Sequence, residues 1–321
     1  MKRNTYPTMA AAAMAVIFGL SFLFTKGLLS YLTPLQLMGM RFAVAALVLI
    51  FLAALRLVKL NLVINDLPPL LGAAILSPGL YFIFETYGVK LTTASISSVI
   101  ISLIPVATAV FAFFMLGERI TVVQGAFITA AVAGVMLMAL GGGDGSSQGS
   151  SHMLGILLLV GAVASSAVFN IVSNSLSGRY SPIDITFVMM CFGAVTFNFV
   201  AAIHSYLTGS LANYQWVLKE PSVIIGLLYL GLLSSVVAFF MLNFALAHLT
   251  ASRVAVFLNL IPVVSLFAGM LFLHERLSQG QALGCALILL GIWGTNYFES
   301  EIEEESEETH PETLHERTTA K

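Results

Sequence analysis

Charge is what this chain has least of. Only 9% of its 321 residues are Asp, Glu, Lys or Arg, against 58% that are apolar, and its mean hydropathy is +0.95. A soluble domain carries about 25% charged residues, so no ordinary water-facing surface can be built from this composition. Cysteine is nearly absent. Cys191 and Cys285 both lie in apolar runs, which excludes a disulfide framework and a thiolate metal site. The six His are scattered, with His310 and His315 near the C-terminus, and no His, Cys and carboxylate group has metal-ligand spacing. There is no Walker-type phosphate loop, so direct drive by ATP is not expected. No basic patch suits nucleic acid. The sequence therefore predicts no cofactor, no catalytic residue set and no enzyme.

What is present is a series of long apolar runs. A membrane-crossing helix needs about 20 mainly apolar residues. Runs bounded by charge, Pro or Gly predict ten spans, at 8–31, 34–56, 68–90, 92–116, 121–140, 153–177, 182–207, 221–247, 249–274 and 279–298. Thr33-Pro34, Pro68-Pro69, Ser181-Pro182 and Glu220-Pro221 mark helix starts, where Pro gives up no needed N–H. Lys2 and Arg3 precede the first run. That run exceeds the roughly 7–15 apolar residues of a signal peptide, so it reads as an uncleaved first span. Residues 141–152, GGGDGSSQGSSH, read as a flexible polar linker at the midpoint of the spans. The segment 299–321 holds nine of the sixteen acids and is expected to be a disordered, solvated tail.

Orientation follows from the basic residues of the short loops. With the N-terminus in the cytoplasm, inside segments hold Lys2, Arg3, Arg56, Lys59, Arg119, Arg179, Arg253, Arg317 and Lys321. Outside segments hold Lys90, Lys219 and Arg276. The bias predicts that both termini are cytoplasmic.

The chain also repeats itself. Residues 93–121 and 250–278 align without gaps at an offset of 157, with eleven of 29 positions identical. Pro105 falls on Pro262, Glu118 on Glu275, Arg119 on Arg276 and Gln124 on Gln281. The same offset puts Leu76-Ser77 on Leu233-Ser234. Five spans per copy would make the second copy enter the membrane in the opposite sense. Such inverted repeats recur in transporters, with substrate at their interface. The two stretches running from Ala94-Ser95 through Pro105 to Glu118-Arg119, and from Ala251-Ser252 through Pro262 to Glu275-Arg276, resemble the EamA family of the drug/metabolite transporter superfamily. That resemblance covers the chain to Phe298. It implies an all-α integral membrane protein of ten helices in two inverted five-helix repeats, 1–140 and 153–298. It also implies a bacterial inner-membrane setting and transport of small metabolites, often amino-acid export.

Intramembrane charge costs about 2.5–3.5 kcal/mol per residue on insertion scales, so Lys26, Arg41 and Glu85 stand out. Glu85 could receive the cationic end of a substrate, exchange a proton, or pair with Arg41 or Lys26 as a structural link. Tyr81 lies on its face of the helix. Pro105 and Pro262 are expected kinks that each free a carbonyl; with the polar residue three positions earlier, Ser102 or Asn259, that carbonyl could bind substrate in a cavity, a simple kink being the alternative. Asn170 and Asn243 are candidate lining residues, as are the spaced pairs Ser21/Thr25 and Asn170/Asn174, with helix-to-helix hydrogen bonding the alternative. Tyr81, Phe82, Phe84 and Phe239 could form an apolar wall. Glu118-Arg119 and Glu275-Arg276, at helix C-termini, are expected to be hinge or interface anchors on opposite membrane faces, not substrate contacts. The function expected is secondary transport of a small polar metabolite, an amino acid first, as an exporter. The alternatives are export of cationic or lipophilic compounds and, in a different class, a scaffold or receptor acting through the acidic tail. The expected partners are a small-molecule substrate, the lipid bilayer and protons, and the expected unit is a functional monomer.

Overall fold

A computed structural model of the chain describes residues 5–63, 66–117, 120–140, 147–177, 179–207, 220–241, 245 and 257–309. Its elements are α1 (Thr5–Leu28), α2 (Pro34–Ala54), α3 (Leu67–Ala74), a π-helical segment π1 (Ile75–Leu80), α4 (Tyr81–Leu91), α5 (Ala94–Ile101), α6 (Ile104–Leu116) and α7 (Val122–Leu140). The second half has α8 (Ser147–Ser177), α9 (Pro182–Leu207), α10 (Pro221–Leu228), a second π-helical segment π2 (Tyr229–Val237), α11 (Leu260–Phe272) and α12 (Gln279–Thr309). The described residues contain no strand. Among them, eight helices are long and apolar enough to cross a membrane: Tyr6–Leu28, Pro34–Ala54, Leu67–Leu91, Ala94–Leu116, Val122–Leu140, Ser151–Ser173, Ile183–Leu207 and Pro221–Met241. Leu260–Phe272 is a shorter apolar helix. It falls in the ninth expected span, and the tenth lies within α12.

Capping chemistry sets several helix starts. Thr33 and Gln36 form a reciprocal capping box at the head of α2, Gln36 N–H donating to Thr33 Oγ1 at 3.3 Å and Thr33 N–H to Gln36 Oε1 at 3.0 Å. Thr121 with Gln124, and Ser278 with Gln281, do the same at α7 and α12. The Gln124/Gln281 match in the repeat is thus a matched pair of helix starts.

Helix ends match as well. Gly117 closes α6 in the left-handed region, φ 73°, and its repeat partner His274 has φ 53° just beyond α11. Only glycine adopts that conformation freely. His274→Gly is therefore expected to raise stability by about 1 kcal/mol, read as a higher melting temperature in detergent.

Two sequence expectations change. The polar linker expected over 141–152 is helical from Ser147. His152 is buried with its Nε2 3.4 Å from the Met138 carbonyl, and a helix anchored there extends outward at little cost once nucleated. The tail expected to be disordered from 299 continues α12 as helix to Thr309, in keeping with the good helix propensity of Glu.

The helices pack in recurring pairs: α7 along α12, α2 along α9, α4 along α8, and α11 against both α1 and α5. Small residues permit the close approaches. Asn198 of α9 donates to the Gly39 carbonyl of α2 at 2.7 Å, and Gly193 lies over the Phe42 ring. One large apolar core joins α4, α5, α7, α8 and α12, and a second, around Phe42, Phe82 and Phe197, joins α2, α4 and α9. Large apolar side chains elsewhere are outward-facing, Phe114, Phe199 and Phe267 among them, as a lipid-facing surface requires. At one end of the bundle Asp66 accepts from Tyr180 Oη at 3.1 Å and from Arg179 at 3.3 Å. Asp184 accepts from Asn61 N–H at 3.0 Å and from Ser181 Oγ at 2.6 Å. These bonds tie the connection after α2 to the connection before α9.

Candidate functional site

The spans are interrupted at repeat-related places. In the first copy, Ser77 takes an extended conformation within π1, φ −143° and ψ 118°. The Leu76 carbonyl next to it is satisfied by Ser165 Oγ of α8 at 2.9 Å. In the second copy, π2 covers the matching Leu233-Ser234, and Ser235 Oγ donates to the Leu230 carbonyl at 2.8 Å. Irregular backbone of this kind is tolerated at membrane depth only inside protein or beside a cavity, and π segments concentrate at functional sites.

Arg41 of α2 reaches π2. Its Nε donates to Ser235 Oγ and its Nη2 to Ser234 Oγ, both at 3.2 Å. Its guanidinium carbon lies 4.7 Å from the centre of the Phe82 ring, a cation–π geometry. Glu85, on α4, is also buried and accepts from Thr86 Oγ1 at 3.0 Å. Arg41, Glu85 and Tyr81 interact electrostatically. Arg41 and Glu85 do not touch as an ion pair: among the described residues, the pair within 4.0 Å is Arg179–Asp66. The expected structural link by direct pairing is therefore corrected. Each charge is held by neutral groups, the paired serines of π2 engaging Nε and Nη2 of the guanidinium.

Lys26 belongs elsewhere. Its Nζ donates to the carbonyls of Val89 at 2.9 Å, of Lys90 at 3.1 Å and of Thr92. It thus caps the C-terminus of α4, where a cation also complements the helix dipole. Lys26→Met is expected to cost about 1.5–3 kcal/mol of stability, the range for hydrogen bonds to a charged group. Thermal unfolding checks this, and the KM for any transported solute is expected to stay unchanged.

A cavity of about 250 Å³ lies between the broken helices, lined by Ser98, Ser102, Pro105, Ser166, Asn170 and Asn259 together with apolar side chains. Ser102 lies in the turn between α5 and α6, donating to the Val99 carbonyl at 2.6 Å. Pro105 is in the first turn of α6. It starts a new helix there and does not kink a continuous one. Asn259 and Pro262 stand in the same relation to α11. The repeat partners Ser102 and Asn259 thus meet at one cavity. Asn170 Nδ2 donates to Thr108 Oγ1 at 3.3 Å. Among the described residues, no ionisable side chain lines this space.

The sequence candidates therefore divide. Arg41, Glu85 and Tyr81 form one buried group, while Ser102, Asn170 and Asn259 line the cavity with Pro105. Tyr81 packs against both apolar cores, so it stands between the charged group and the helices that wall the cavity. Phe82 faces Arg41, but Phe84 meets Gly161 of α8 and Phe239 meets Phe18 edge-on at 5.4 Å. Ser21 bonds within its own helix to the Phe18 carbonyl. Asn243, Glu118 and Arg119 lie outside the described residues. Sequence reasoning missed Ser234 and Ser235 as the holders of Arg41, although the match of Leu233-Ser234 to Leu76-Ser77 was their signal. It also missed Ser98 and Ser166, which no spacing rule singles out.

This arrangement defines a multi-pass membrane protein with a polar interior, and the chain belongs to the EamA-like transporter family, whose model matches residues 6–140 and 153–297. That is a transporter family and not a class of enzymes. Among relatives, the chain is 31% identical to "Uncharacterized transporter YcxC" of Bacillus subtilis (strain 168), over 92% of this chain and 94% of that protein. It is 29% identical to "Probable amino-acid metabolite efflux pump" of Escherichia coli (strain K12), over 88% and 92%. It is 26% identical to "Probable terminal-alkyne amino-acid exporter" of Streptantibioticus cattleyicolor, over 71% and 72%. A solved crystal structure of a protein 19% identical aligns with a TM-score of 0.58, over 91% of this chain and 96% of that one. That likeness is one of fold.

Proposed function

We propose that this chain is a secondary transporter working by alternating access, which exports an amino acid or a close metabolite across the cell membrane. The reading takes ten spans as two inverted five-helix units, with both termini in the cytoplasm, and a single chain as the transporting unit. The observation that carries it is the buried Arg41 and Glu85, opposite charges on facing helices that interact without touching. A zwitterion satisfies both: its carboxylate meets Arg41 Nη1, the guanidinium nitrogen that the two serines do not engage, and its ammonium meets Glu85. The uncharged cavity beyond Tyr81 suits a neutral side chain. Two relatives named for amino-acid export support this reading.

Purified protein in liposomes, offered a panel of radiolabelled amino acids with and without a pH gradient, tests it. Saturable flux is expected for neutral amino acids. Glu85→Gln is expected to remove the response to the gradient, because Glu85 is the acidic group that exchanges a proton in the cycle. Absence of flux above empty liposomes across the panel overturns the amino-acid reading. A second reading, export of cationic compounds, is favoured by the lighter hold on Glu85, one hydroxyl against the two serines and ring that hold Arg41. Flux of lipophilic cations that survives Arg41→Ala but not Glu85→Gln selects it. Deletion of residues 300–321 leaves transport intact on either reading, whereas a scaffold acting through the tail loses its function.

A further inference from the structure

The reversal between α4 and α5 holds charges from two separate parts of the chain. Only Thr92 and Thr93 separate the two helices, so a helix C-terminus and a helix N-terminus lie side by side. Lys26 covers the carbonyl end. The amide end is covered by Glu275, which follows α11: its Oε1 accepts from Ala94 N–H at 2.7 Å and its Oε2 from Ser95 N–H at 3.0 Å. Lys26 and Glu275 also interact electrostatically. The local fold is arranged to aim this carboxylate. His274 turns the chain back through the left-handed region, and Glu275 N–H donates to the Gly269 carbonyl at 3.1 Å. Gly269 leaves the room needed, since a Cβ there would press on both Ser95 Oγ and the Glu275 carboxylate.

Two features set this contact apart from ordinary capping. It joins α5 to α11, and these two helices have breaks at the cavity, at Ser102 and at Asn259. The Ser95 hydroxyl beside it is fully buried and has no hydrogen-bond partner among the described residues, although buried hydroxyls are normally satisfied. The junction is therefore incompletely satisfied about one turn of α5 from Ser98, which lines the cavity.

We propose that Glu275 is a releasable latch: a positioning residue that holds α5 against α11 and closes the cavity toward the membrane face where α4 ends. The carboxylate leaves the Ala94 and Ser95 amides when the cavity opens to that face, and α5 swings about the Ser102–Leu103 break. The idea rests on the alternating-access reading but not on the identity of the substrate.

Two measurements on the full chain, in a background lacking Cys191 and Cys285, test it. First, Ser98→Cys on the cavity wall is labelled with a membrane-impermeant maleimide from that face. Glu275→Ala is expected to speed labelling by at least about tenfold, the population shift that follows loss of one charge-assisted hydrogen bond. Glu275→Gln, which keeps a neutral acceptor, is expected to fall between. Second, Ser95→Cys paired with Glu275→Cys is oxidised to a disulfide. A permanent structural contact tolerates that bond, but a latch that must open does not, so flux is expected to stop and to return on reduction. Unchanged labelling in a Glu275→Ala protein with normal melting overturns the proposal, as does undiminished flux through the crosslinked form. If Glu275→Ala does not fold, the labelling rate of Glu275→Gln decides in its place. Labelling needs no substrate, so failure of the amino-acid reading leaves this test standing.

Discussion

Arg41→Ala is expected to abolish saturable flux and to destabilise the protein, the largest functional loss from any single substitution at the site. The side chain is buried, with Nε and Nη2 on Ser235 and Ser234 of π2 and its face on Phe82. Removing it strands Glu85 as a buried charge and leaves two serine hydroxyls short of a donor. Loss of hydrogen bonds to a charged group typically costs about 1.5–3 kcal/mol. Arg41→Lys is not expected to restore function, because an ammonium cannot span two hydroxyls with a planar fork. Thermal unfolding in detergent and initial rates in liposomes measure the two effects. The double variant Arg41→Ala with Glu85→Gln is expected to recover stability without recovering flux. Wild-type KM in Arg41→Ala would remove the residue from the site.

The second large effect lies far from the charges. Where α7 and α12 pack, a Cβ on Gly284 would lie 2.7 Å from the Gly134 carbonyl and 2.7 Å from Met138 Cγ. A Cβ on Gly134 would meet the Gly284 carbonyl at the same 2.7 Å. Two backbones are in contact there, and no side chain can move aside to make room. Gly284→Leu is therefore expected to cost at least the roughly 1–3 kcal/mol of ordinary overpacking, seen as a lowered melting temperature and poor recovery from the membrane. Gly125→Leu, on α7 with nothing within 4 Å of an added Cβ, is the control and is expected to be neutral. Equal effects of the two substitutions would show that the α7–α12 seam is not under steric control.

The class of this protein was legible from composition, because lipid replaces water around the helices and charge has nowhere to go. Helix starts were legible where Thr-Pro or Ser-Pro pairs and capping residues announce them. The π segments were not: the Leu76 carbonyl of π1 is taken by Ser165 of another helix, a tertiary fact with no local pattern, and the Ser235 bond to Leu230 within π2 has no sequence signature. Glu85 and Arg41 stood out because each is an isolated charge in an apolar run. That they are held apart could not be read from spacing, since Arg41 is taken up by residues almost two hundred positions away. Lys26 looked the same as Arg41 in sequence. Only the position of the α4 terminus separates a capping lysine from a lysine facing a substrate. Glu275 was read as a hinge or interface anchor, but nothing local said that its carboxylate meets the amides of Ala94 and Ser95.

The two copies are alike in their helix starts, their breaks and their π segments, yet differ in their charges. Arg41 and Glu85 belong to the first copy alone, and Glu85 falls on Leu242 in the second. Selection can therefore act on grip and on movement as separate traits. On the alternating-access reading proposed above, a change at Glu85 retunes what is carried without disturbing the paired breaks about which the halves turn. A lineage built this way can exchange one cargo for another in few steps while inheriting its mechanics whole.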